Sequence, residues 1–181
     1  MDATTPPLPA DDEAPISLDD TQRQLLQIYV NDHRGGSVGG IALTRRIMRN
    51  NLGTPLGDTA ADLVGEIEED AATLDAISDH LGLQPNHAKR AVAAVLERVG
   101  RLKPNGQFRG YSPLSRLLEV EALLGGIDVK RSLWLSLRAI TPGETLAGVD
   151  LAEMTERAAS QRERLMDHHR QAAVEAFGER S

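Results

Sequence analysis

Asp32, Asp70, Glu121 and His168 are polar, potentially metal-ligating side chains, each on the side of a different long amphipathic stretch where the apolar spacing predicts a core. Glu66 and Glu69 precede Asp70 in the run Glu66-Ile67-Glu68-Glu69-Asp70. A charge in a protein interior must be paired, hydrogen-bonded or bound to a metal. Two chemistries meet that demand here. Carboxylates and an imidazole could converge on one divalent ion of the Mn, Fe or Zn type, a mixed oxygen and nitrogen ligand set. Alternatively the same carboxylates form a buried network neutralised by Arg164 and supported by Gln161, which share the His168 face, with help from Arg45 or Arg131. Both require the side chains to be buried together.

The elements that would position them are helices. Ser17-Leu18-Asp19-Asp20 is a start signal, and Leu25, Tyr29, Gly36, Gly40, Leu43 and Ile47 recur at helical spacing to about Asn50. A second helix is predicted from Leu56 to Leu81, with Leu63, Ile67, Leu74 and Ile77 on one face and Gly82 as its stop. A shorter amphipathic segment runs from Pro85 to Leu102. Ser112-Pro113 opens another helix, reaching about Ala139, with Leu114, Leu117, Leu118, Leu124 and Gly125 on its apolar face. The last helix spans about Asp150 to Phe177 with Asp150 as its cap. No two-residue period is visible anywhere, so the chain reads as all-α.

Connection lengths constrain the topology. Short loops make the first two helices antiparallel, and likewise the last two. The segment of roughly 17 residues between them, about 25 Å at 1.5 Å per residue, can return the chain to the opposite end, so the second and third long helices should run parallel. Counting from the turns, Asp32 and Asp70 fall within about 6 Å in height, and Glu121 is level with about residue 169, beside His168.

The chain of 181 residues is the size of one domain. It has no cysteine, which removes disulfides, thiolate metal sites and thiol nucleophiles. A net charge of −7 opposes phosphate-backbone binding, so nucleic acid is not expected as a partner. The first residues carry four of the nine prolines and an acidic run, without the basic and apolar regions of a signal peptide. No apolar run approaches the roughly 18–20 residues that cross a bilayer. The expectation is a cytoplasmic protein with a disordered, acidic, Pro-rich tail over residues 1–17 and a bundle over 18–178, making no membrane contact.

With these helices and carboxylates in view, the chain resembles the ferritin-like superfamily. The resemblance implies an up-down-down-up four-helix bundle with an additional crossover helix between the second and third long helices. In its metal-binding members two helices each give one Glu and two give Glu-x-x-His. On that pattern Asp32, Glu66, Glu69, Asp70, Glu121 and His168 are the candidate ligands, for an Fe or Mn ion if any cofactor is held. Neither the second helix nor the last has an intact Glu-x-x-His. The reading is therefore of a non-enzymatic bundle of structural carboxylates, with metal-dependent oxidase or storage activity and partner binding as alternatives. A homodimer is one candidate assembly.

Other features have simpler explanations. Gly35-Gly36-Ser37-Val38-Gly39-Gly40 lacks the spacing and context of a phosphate loop, so Gly36 and Gly40 are expected to let another helix approach. His33-Arg34 and His168-His169 are adjacent pairs that point about 100° apart and cannot chelate as units. His80 and His87 read as surface residues. The loop from Lys103 to Tyr111 is expected to cap one end of the bundle, and Trp134 to pack on the crossover or a second subunit.

Overall fold

The computed structural model describes residues 16–84 and 111–178. Four long helices dominate: α1 (Asp20–Asn50), α2 (Pro55–His80), α3 (Pro113–Ile140) and α4 (Leu151–Phe177). Each begins where a side chain satisfies the free backbone N–H groups of a first turn. The Asp19 carboxylate accepts from the Gln22 N–H at 2.8 Å, and the Gln22 side chain accepts from the Asp19 N–H at 3.0 Å. Thr54 and Ser112 cap α2 and α3, each followed by a proline at the first helical position, and Asp150 accepts from Ala152 and Glu153. The chain is mostly helical, but the all-α expectation needs one correction. Thr145–Leu146 (β1) pairs antiparallel with Val149–Asp150 (β2) across Ala147 and Gly148, both at positive φ. Strands of two residues carry no readable period, so the hairpin left no signal in the periodicity.

Contacts between helices fix their directions. Arg34 meets Asp75 and Arg45 meets Glu68, so α1 and α2 are antiparallel. Arg116 meets Glu175 and Asp128 meets Arg162, so α3 and α4 are antiparallel. Tyr29 bonds Ser136 while Arg46 pairs with Glu119, which makes α1 and α3 antiparallel as well. Thr59 meets His168 and Glu69 meets Arg157, giving α2 and α4 the same relation. It follows that α2 and α3 run in one direction and face each other across the diagonal. Gln84 lies beside Gln27 and Asn31 at one end, and Tyr111 lies beside Asn51 at the other. The predicted crossover helix and the N-terminal fifteen residues lie outside the described residues. So do His87, Phe108 and the Lys103–Gly106 turn.

The core contains Val30, Ile47, Leu63, Ile77, Val120, Ile127, Leu137, Leu151 and Leu165. Trp134 is buried among these and needs no second subunit to cover it. Ile16 also packs against the core. Among the described residues no helix is long and apolar enough to cross a membrane.

The buried face of α1 is not the expected one. It contains Val30, Asn31, Gly35, Gly39, Leu43, Thr44 and Ile47. The glycines come as adjacent pairs, and Gly35/Gly39 and Gly36/Gly40 have the same spacing, so periodicity could not choose between them. A Cβ added at Gly36 or Gly40 would meet nothing within 4 Å, which overturns the expectation of close helix packing there. Crowding falls instead on Gly57, where a Cβ would stand 2.1 Å from the Asn51 carbonyl oxygen, and on Gly178 at the end of α4, where it would stand 2.5 Å from the Val174 carbonyl oxygen.

Candidate functional site

Asp70 is the one expected ligand that is fully buried. Its position between Leu63, Ile67, Leu74 and Ile77 points it into the bundle, where it is 3% exposed. Its charge is met from two other helices. The Lys130 ammonium on α3 crosses the diagonal to bond Asp70 Oδ2, and Gln161 Nε2 on α4 donates to the same oxygen at 3.1 Å. Arg157 Nε on α4 lies 3.2 Å from Oδ1 as an ion pair without hydrogen-bond alignment. Lys130 also donates to Gln161 Oε1 at 2.5 Å. Burial pushes the Lys130 ammonium below the ordinary lysine range, against the attraction of Asp70.

The network continues toward the surface. Gln161 Nε2 donates to Glu66 Oε2 at 3.1 Å, and Arg164 donates to that oxygen at 2.5 Å. Arg157 donates to the exposed Glu69 at 2.5 Å and to the Glu66 backbone carbonyl at 3.2 Å. Burial raises the Glu66 pKa, but the hydrogen bonds from Arg164 and Gln161 and the nearby guanidinium charges outweigh it, leaving the group below its usual value. Asp70, Glu66 and Glu69 thus face Lys130, Arg157 and Arg164, three negative charges against three positive.

The other expected ligands do not join this cluster. Asp32 is exposed on α1, and the buried polar residue there is its neighbour Asn31. Glu121 is 49% exposed and meets His169 at 3.1 Å. His168 meets Thr59 Oγ1 at 2.9 Å, and burial lowers its pKa against the pull of Asp167. Arg45 serves Glu68 at the surface, and Arg131 is exposed. Of the expected cluster, Asp70, Glu66 and Glu69 come together, joined by the expected Gln161 and Arg164. Rotation of α1 and α3 by about one residue from the expected faces removed Asp32 and Glu121, while His168 on α4 turns to Thr59 instead.

A second buried carboxylate was missed. Glu119 on α3 is 1% exposed, with Arg46 Nε of α1 at 2.7 Å from Oε1 and no well-aligned hydrogen bond to either oxygen. Burial raises its pKa more than Arg46, Tyr111 and Asn50 lower it. Beside it, burial raises the Tyr111 hydroxyl to about 12. That hydroxyl accepts from Asn51 Nδ2 at 3.0 Å, and Arg116 donates to Asn51 Oδ1 at 2.9 Å. The signal for Glu119 and Lys130 was available, because Glu119, Leu123, Ile127, Lys130, Trp134 and Leu137 form one helical stripe. Arg157 likewise precedes Gln161 by one turn on the same face.

Among the described residues, two surface clefts are of note. One, of about 80 Å³, lies at the end of the bundle against Asn51, Thr54, Arg116, His168 and Glu175. The other, of about 330 Å³, is an apolar groove between the start of α1 and the end of α3, lined by Leu18, Leu25, Leu26, Tyr29, Leu137 and Ile140. Neither is lined by Asp70, Lys130 or Gln161, so the buried network is not open to a substrate through them.

The fit of these residues to a metal can be judged from their chemistry. A divalent ion needs several convergent carboxylate or imidazole donors free of competing cations. Here the carboxylates are occupied by an ammonium and two guanidinium groups. Among the described residues no three His, Asp or Glu side chains form a group that could hold a metal ion. The residues present do not fit the metal centre that the resemblance implies. No family model matches the chain, and no curated protein or solved structure matches it.

Proposed function

We propose that this chain is a non-enzymatic, cytoplasmic ferritin-like helical bundle whose interior is held by its own charge pairs and which acts through its surface. The observation that carries this reading is the state of Asp70: the most buried of the candidate ligands is bonded by Lys130 and Gln161 and paired with Arg157. A cation occupies the position that metal chemistry would need. The antiparallel and parallel relations of the four helices support the ferritin-like arrangement. The test is elemental analysis of protein purified without chelators. The expected result is no stoichiometric iron, manganese or zinc, and a full equivalent that resists dialysis would overturn the reading.

The apolar groove favours a second reading within the first, that the bundle binds a protein partner or a second copy of itself. Leu25, at 61% exposed, and Ile140 stand on its two sides, and soluble monomers seldom leave contiguous apolar surface open without a role. Sedimentation of the wild type and of Leu25→Glu with Ile140→Glu tests self-association. A concentration-dependent dimer lost in the double variant supports a second copy as the occupant. A monomer at every concentration excludes it.

A further inference from the structure

One face of α3 is open to solvent along most of its length. Ala122, Gly125, Val129, Ser132, Ser136 and Ile140 are all exposed and recur at steps of three and four residues. None is charged, although 26% of the chain is, so this is not an ordinary solvated face. The spacing is that of a coiled-coil seam, on the side of the helix turned away from the bundle's own core. A Cβ added at Gly125 or at its neighbour Gly126 would meet nothing within 4 Å, which leaves room for a second backbone. The Ser132 and Ser136 hydroxyls donate to the Asp128 and Ser132 carbonyls of their own helix at 2.9 and 2.8 Å. Covering them therefore leaves no donor unpaired.

The charges beside this face decide what fits it. Glu121, Asp128, Arg131 and Arg138 are exposed at steps of seven, three and seven residues, which places them along one flank. Glu121 meets His169 and Asp128 meets Arg162, so the flank is the one toward α4. Along the helix the order is acid, acid, base, base, and in the reverse direction it is base, base, acid, acid. A second α3 laid antiparallel about a twofold axis brings the same flank of both helices together. It then sets each Glu121 beside the other copy's Arg138 and each Asp128 beside the other copy's Arg131, the self-complementary pattern of a twofold interface. A parallel copy in register would set acid against acid. Both pairings centre beside Val129, which at 57% exposed is the most open large apolar residue of α3. We propose that a second copy of this chain packs antiparallel on the Ala122–Ile140 face of α3, with Val129 at the twofold axis. The inference rests on the reading that the bundle acts through its surface, and its face meets the apolar groove at Ser136 and Ile140.

The experiment joins sedimentation equilibrium over a dilution series to disulfide trapping, to which a chain without cysteine is suited. The wild type should dimerise as its concentration rises. Arg138→Glu sets two like-charged pairs in the interface and should raise the dimer Kd about tenfold at low salt. Adding Glu121→Arg reverses the other member of each pair and should restore the wild-type Kd, a rescue that a misfolded variant could not show. Under mild oxidation Val129→Cys should link into a covalent dimer much faster than Val38→Cys, a position 53% exposed on α1. A dimer indifferent to Arg138→Glu, or a Val129→Cys protein that links no faster than Val38→Cys, overturns the inference. If such a dimer is lost on Leu25→Glu, association runs through the groove and the underlying reading stands without this interface. A monomer at every concentration overturns the inference and removes self-association from the underlying reading as well.

Discussion

Asp70 and Glu119 are both buried carboxylates, yet they differ in what surrounds them, and the difference can be measured. Asp70 has two cations and an amide, two of these three partners from α4. Removing its charge leaves Lys130 and Arg157 under-compensated in the interior. Asp70→Asn should therefore cost about 3–5 kcal/mol in urea denaturation, whereas Asp32→Asn on the exposed face should stay within about 0.5 kcal/mol. Glu119 has one guanidinium, itself partly exposed, and its folded-state pKa is raised. The folded protein thus binds that proton more tightly than the unfolded chain, so ionised Glu119 lowers stability at neutral pH. This cost fades as pH falls through the raised value toward the ordinary 4.5. Glu119→Gln should be more stable than the wild type near neutrality, with the gap closing in acid. A variant less stable at every pH would show that the pair with Arg46 outweighs the burial. Asp70 was legible in the sequence because four apolar residues bracket it at helical spacing. Glu119 and Lys130 were overlooked because the run Leu117-Leu118-Glu119-Val120-Glu121 offers two acidic residues and only the full stripe to Leu137 selects the right one.

Three helices were legible from their caps, Asp19 within its start signal, Ser112 with Pro113 behind it, and Asp150, whereas Thr54 with Pro55, which caps α2, was not read as a start. Side-chain hydrogen bonds at these positions act locally, so they can be read from a few residues. Rotation about a helix axis is set by packing against other elements, and there the reading of α1 failed by one residue. The failure makes a prediction at this scale. Gly36→Ala and Gly40→Ala place a methyl group in open space within a helix, so each should stabilise α1 by about 0.5–1 kcal/mol in chemical denaturation. Gly57→Ala forces a Cβ against the Asn51 carbonyl at the α1–α2 turn. It should destabilise by about 1–3 kcal/mol, since a backbone atom cannot step aside as a side chain can. A loss of stability at Gly36 or Gly40 would mean that this face is packed after all.

At the scale of the molecule, the buried network acts as a cross-brace. Lys130 reaches from α3 to Asp70 on α2, the two helices that face each other across the diagonal and run in the same direction, and Gln161 and Arg157 of α4 close the remaining sides. Short turns made the antiparallel pairs readable from the sequence, while a contact across the diagonal has no local signature at all. The most direct test of this cross-brace is a double-mutant cycle on Asp70→Asn and Lys130→Met, with unfolding free energies measured in urea at neutral pH. Residues in one buried charge network couple by about 0.5–3 kcal/mol. The double variant should therefore lose less stability than the two single losses added together, by an amount in the upper part of that range. Strictly additive losses would contradict the account, because they would mean that Asp70 and Lys130 do not depend on each other in the folded protein.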